Sequence, residues 1–93
     1  MSISDKELSR EIIIVNELGL HARSAAKIAK LAQNAESTIW LIKDKEKADA
    51  SSILDMLTLG CPKGSRIVLS ADSQSDIDIL NDITALVERG FEE

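Results

Sequence analysis

The chain holds a single histidine, His21, and it stands inside Gly19-Leu20-His21-Ala22-Arg23, where a turn gives way to a helix. A helix start leaves its first N–H groups without internal acceptors, and the macrodipole adds positive potential there. An imidazole in that place offers a ring nitrogen for attack on phosphorus. The dianionic group it gains is stabilised by the backbone at Ala22, Arg23 and Ser24. Arg23 adds a planar fork of donors for the equatorial phosphoryl oxygens. Phosphoryl transfer needs mainly positioning and charge neutralisation, so this small set demands no metal and no cofactor of the chain. The plainer alternative is a surface or capping histidine, and it is the neighbours of His21 that weigh against it.

Those neighbours continue along the helix. Arg23, Lys27, Lys30 and Asn34 recur at helical spacing and put positive charge on one stripe. The chain as a whole is acidic, with 11 Lys and Arg against 16 Asp and Glu for a net charge of -5. A basic stripe on such a background suits an acidic protein face. Ser52 can cap a short helix, the ordinary role of a serine in that place. Ile53, Leu54 and Leu57 follow it and either form an apolar patch beside the basic stripe, the mixed surface of a transient interface, or join the core; helical spacing alone leaves both open.

The elements that must position these residues are legible in outline. Arg10 to Val15 is compact and β-branched, so it reads as a strand delivering the chain to the turn Asn16-Glu17-Leu18-Gly19. Ala22, Ala25, Ala26, Ala29 and Ala32 mark a helix ending near Asn34. Thr38 to Lys43 predicts a second strand, Asp44 to Lys47 a tight turn, and Ala48 to Ala50 a return strand. Ser51 or Ser52 starts the short helix and Gly60 stops it. Ser65 to Ser70 is a fourth strand. Ser75 with Asp78 forms a capping-box pattern ahead of a long helix carrying Ile77, Leu80, Ile83 and Val87 before Gly90. The order β-α-β-β-α-β-α with short links predicts an α+β fold: one four-stranded antiparallel sheet with helices on one face. Residues 1–93 are expected to form one domain, with 1–9 a loosely ordered N-terminal extension.

Composition excludes several classes. The core must be aliphatic, since aromatic residues are only 2% of the chain while apolar ones are 44%. A net charge of -5 repels a polyanion, which argues against nucleic acid as the main partner. The lone Cys61 has no partner for an internal disulfide, no signal peptide is visible, and no apolar run is long enough for direct membrane insertion. A cytoplasmic, monomeric chain is expected. Cys61 and Trp40 are expected in packing roles.

The residues themselves resemble a known family. Gly19-Leu20-His21-Ala22-Arg23 followed by Ala25-Ala26 is similar to the active-site motif of HPr, the histidine phosphocarrier of the phosphoenolpyruvate-dependent sugar phosphotransferase system. The resemblance extends through Ser52-Ile53-Leu54, Leu59-Gly60 and Gly64. It implies an HPr-like open-faced β-sandwich with three helices. It also implies a carrier rather than an enzyme, phosphorylated transiently on Nδ1 of His21 by enzyme I and discharged to a IIA protein or domain. The service is sugar uptake or a regulatory phosphorelay, such as that of the nitrogen-related paralogues. Arg23 would stabilise the phosphate, and Ser52 would correspond to the residue modified by HPr kinase/phosphorylase. Two departures stand out. Ser24 replaces the family's usual proline, losing some pre-organisation of the helix start while adding a hydroxyl that can give phosphate a further contact. Ser51 stands where many relatives carry a basic residue. Two other readings are weighed: a non-transport regulatory module of the same fold, and an acylphosphatase-like hydrolase. The second would use Asn16 and Arg23 but lacks the Gly-rich cradle it needs.

Overall fold

The structure, a computed structural model, describes residues 8–93. Of the extension expected over residues 1–9, residues 1–7 lie outside the described residues. Ser9 opens the first strand, and the Leu8 carbonyl accepts from Ala71 N at 2.8 Å.

Strand β1 (Ser9–Ile13) buries Ile12 and exposes Glu11 and Ile13, the alternation that a two-faced sheet imposes. Ile14, just beyond it, is fully buried and still bonds in register, donating to Ser65 O at 2.9 Å. Strands β2 (Ile39–Lys43), β3 (Glu46–Asp49) and β4 (Arg66–Ala71) complete one antiparallel sheet of order β1-β4-β2-β3. The β2–β3 turn is tighter than the sequence predicts. Only Asp44 and Lys45 turn, at φ of 50° and 72°, because a two-residue hairpin with positive φ at both positions matches strand twist. Glu46 and Lys47 therefore pair across to Lys43 and Ile42.

Helix α1 (Ala22–Ala32) buries Ala25, Ile28, Ala29 and Ala32, and its small alanines let its backbone lie close to the two helices that follow it. Helix α2 (Ile53–Leu57) is short and buries only Met56. Helix α3 (Ile77–Glu88) buries Leu80, Ile83, Leu86 and Val87, while Ile77 is only half-buried. The three helices cover one face, and their apolar sides meet Ile39, Leu41, Ile67 and Leu69 in a single aliphatic core. Full burial of each such side chain is worth about 1.5–3 kcal/mol.

Two local expectations are corrected. Ser75 does not cap α3. Ser73 caps a single 3-10 turn (Gln74–Asp76), its Oγ accepting from Ser75 N at 3.2 Å. Asp76 turns inward instead, because a buried carboxylate needs donors. It finds them in Glu36 N and Ser37 N at 2.7 and 2.8 Å, tying the exit of α1 to the entry of α3. Trp40 lies on the open face of the sheet rather than in the core. Its Nε1 donates to Asp72 at 3.1 Å, and the Lys47 ammonium stands 4.3 Å from its ring centre. Cys61 is buried as expected, and burial pushes its thiol pKa up, leaving it an unreactive packing group.

Candidate functional site

His21 is the N-cap of α1, extended at φ -121° and ψ -177°, so its carbonyl enters the helix by accepting from Ala25 N at 2.8 Å. The turn before it depends on Gly19, which sits at φ 68°. A Cβ there would lie 2.6 Å from the Cys61 carbonyl oxygen and 2.8 Å from Pro62 Cα, so only glycine lets the loop rest on that backbone. Leu20 N donates to the same Cys61 carbonyl at 2.8 Å.

The imidazole is held from both edges. Nδ1 accepts from Arg23 N at 3.3 Å, and Nε2 lies 2.8 Å from Oε2 of Glu93. The Glu93 carboxylate is itself clamped, its Oε1 accepting from Asn16 Nδ2 at 2.8 Å. Asn16 is nearly buried and gives its other N–H to the Gly19 carbonyl at 2.8 Å, while its Oδ1 has no partner among the described residues. Both groups facing Nδ2 are acceptors, which fixes the orientation of the amide. The Asn16 hydrogen bond is the foremost cause holding the Glu93 carboxyl below the usual carboxylate range, with His21 and Lys27 adding to it against a smaller opposing effect of burial.

The end of the chain is strapped beneath this pair. Gly90 and Phe91 adopt positive φ of 67° and 59°, and the Phe91 ring is fully buried, which brings Glu93 back over the start of α1. Lys27 Nζ donates to the Phe91 carbonyl at 2.5 Å.

The residues expected at the site divide accordingly. Ala22 and Arg23 are exposed in the first turn of α1, and no carboxylate pairs with the Arg23 guanidinium among the described residues. Lys30 is exposed, whereas Lys27 is half-buried and occupied by Phe91, so the basic stripe is narrower than its spacing suggests. Asn34 lies beyond the helix and folds back onto the Lys30 carbonyl.

The contact to phosphate expected of the Ser24 hydroxyl is not available. Ser24 is fully buried, its Oγ accepting from His21 N at 2.9 Å and lying 3.2 and 3.1 Å from the Gly19 and His21 carbonyls. This reciprocal cap between His21 and Ser24 rigidifies the helix start by hydrogen bonds where a proline would do so by its ring.

On the neighbouring helix, Ser52 caps α2, accepting from Asp55 N at 3.2 Å. Leu54 is strongly exposed, Ile53 partly so, and Leu57 packs half-buried against the core. Phe91 and Glu93 carry no signal in the sequence, and Asn16 signals a turn and a hydrolase-like side chain rather than a clamp on a carboxylate. A carboxylate contacting a residue 72 positions away leaves no periodic trace.

A helix N-terminus that presents an imidazole nitrogen, an exposed arginine and a first-turn N–H aimed at the ring has the chemistry of a phosphoryl acceptor. The family model for the PTS HPr component phosphorylation site matches residues 8–89. The chain belongs to the HPr family. Phosphocarrier protein NPr of Shewanella violacea is 39% identical over 87 residues, spanning 94% of this chain and 96% of the relative. Phosphocarrier protein HPr of Cupriavidus necator is 34% identical over 86 residues, with 92% and 97% covered. The crystal structure of HPr-C-His from Thermoanaerobacter tengcongensis superposes with a TM-score of 0.86 at 35% identity, covering 91% of this chain and 96% of the other. The HPr fold explains the open sheet face, and relatives named as phosphocarriers leave the hydrolase alternative without support. No helix among the described residues is long and apolar enough to cross a membrane.

Proposed function

We propose that the chain carries a phosphoryl group on Nδ1 of His21, received from phosphorylated enzyme I and passed to a IIA protein or domain. The observation that carries this reading is the Arg23 N–H aimed at Nδ1 from the first turn of α1. After attack, that donor, its neighbours at Ala22 and Ser24, and the Arg23 guanidinium are in reach of the phosphoryl oxygens. The docking face combines Arg23 and Lys30 with Ile53, Leu54 and Leu57, a cationic rim beside an apolar centre, with the half-buried Lys27 held by the Phe91 carbonyl at its edge, and the chain works as a cytoplasmic monomer.

The decisive experiment is incubation with enzyme I and phosphoenolpyruvate. The expected product is an acid-labile, base-stable adduct that His21→Ala abolishes. No adduct, or one that persists in His21→Ala, removes the reading. Offering a sugar-specific and a regulatory IIA protein in competition identifies the destination. Ser52 is the proposed regulatory position. A cognate HPr kinase/phosphorylase with ATP should give an acid-stable adduct lost in Ser52→Ala, and modification elsewhere reduces Ser52 to a cap.

A further inference from the structure

We propose that Glu93 is a positioning residue for the transfer: it holds the proton of His21 on Nε2 and so keeps the lone pair on Nδ1. The inference rests on the carrier reading and specifies how the ring is prepared for it. Two contacts define the ring. Nδ1 faces an N–H, that of Arg23, and is an acceptor there. Nε2 faces a carboxylate oxygen of Glu93 and is a donor there. Only one neutral tautomer satisfies both, the one protonated on Nε2, because which imidazole nitrogen carries the proton is set by the partner of the other.

The carboxylate is built into place rather than left on a loose side chain. Asn16 commits both its N–H groups to Gly19 and Glu93, and its side-chain carbonyl has no partner among the described residues. Phe91, Gly90 and Lys27 fix the backbone that leads to it. Side-chain accessibility is 30% for His21 and 19% for Glu93, and the contacts at both ring nitrogens lie at the surface, so Nδ1 stays reachable at the helix start.

The step then needs no proton movement. The Nδ1 lone pair forms the N–P bond as the bond from phosphorus to the donor's leaving atom breaks, and that electron pair departs with the donor. The ring now carries the positive charge, with its Nε2 proton facing the Glu93 carboxylate. On discharge the N–P pair returns to Nδ1 as the acceptor's nucleophile takes the phosphoryl group. The same neutral tautomer is restored.

The side chain has a built-in test. Since Asn16 Nδ2 donates to Oε1, Glu93→Gln keeps its carbonyl toward Asn16 and turns its NH2 toward Nε2, which drives the proton onto Nδ1. Long-range 1H–15N correlation on the labelled full chain reads the tautomer, and the rate of phosphoryl acceptance from enzyme I is read on the same samples. The wild type is expected with its proton on Nε2, Glu93→Ala with a mixture and about a tenfold slower acceptance, and Glu93→Gln with the proton on Nδ1 and slower still. Glu93→Asp should recover part of both. Amide shifts of Ile39 and Leu69 report that the fold is intact. A wild type protonated on Nδ1, or variants unchanged in tautomer and rate, overturns the proposal. Failure of every form to accept phosphate removes the carrier reading instead, and the tautomer still decides the role of Glu93.

Discussion

Two helix starts lie side by side on this molecule, both capped by a side chain, and they are prepared for opposite visitors. At α1 the first turn contains no acidic residue, Arg23 stands exposed, and the one nearby carboxylate, Glu93, is spent on the far edge of the imidazole. At α2 the cap Ser52 is followed by Asp55, whose carboxylate accepts from Asp49 N at 2.7 Å, while Asp49 accepts from both the backbone and the hydroxyl of Ser51. The first start has donors left over, and the second has acceptors in excess. Capping alone therefore does not make an anion site; the charge left after the cap is satisfied does. An added phosphate on Ser52 would face Asp49 and Asp55, and only an external enzyme would place it there.

The comparison is broken most completely by His21→Ala, expected to abolish phosphoryl acceptance from enzyme I, where Ser52→Ala leaves it measurable in the same radiolabel assay. Phe91→Ala comes next. Emptying a fully buried ring site should cost about 3–5 kcal/mol in urea unfolding, and it should free the strap that carries Glu93. The two caps then differ in a way denaturation can rank. Ser24→Ala leaves the His21 N–H without its acceptor, while the Gly19 and His21 carbonyls keep Asn16 Nδ2 and Ala25 N, and should cost about 2 kcal/mol, against about 1 kcal/mol for Ser52→Ala at an exposed helix end.

The smallest effect is on pH. The Glu93 carboxyl titrates below its ordinary 4.5, so its hold on His21 is whole above that value and is lost as pH falls through the lowered one. Following the Asn16 side-chain amide by NMR should give a midpoint under 4.5, and in Asn16→Ala the midpoint, followed at Glu93 itself, should rise because the foremost lowering cause is gone.

Periodicity made most of the scaffold legible. The β-branched run around β1 marks a strand by composition, the alanine rows of α1 and the stripe of α3 repeat at helical spacing, and the motif around His21 states its own position at a helix start. What stayed hidden was decided by contacts between distant segments. Ser24 reads as an exposed first-turn donor until the loop at Gly19 is seen to close over it. Lys27 reads as a docking cation until the Phe91 carbonyl is placed beside it. Asp76 reads as one more acid ahead of a helix, although its role is to receive two backbone donors from the far side of the core. In each case a polar group took the partner that tertiary structure offered, and local spacing carries no record of that choice.

Gly19 has a consequence of this kind for how the family can vary. With no side chain to separate them, the His21 loop lies flat on the Cys61–Pro62 backbone, and that segment acts as a shim setting the height of the imidazole above the sheet. Any insertion between α2 and β4 would tilt the start of α1, so the length of a loop without functional groups of its own governs how the histidine meets its partners.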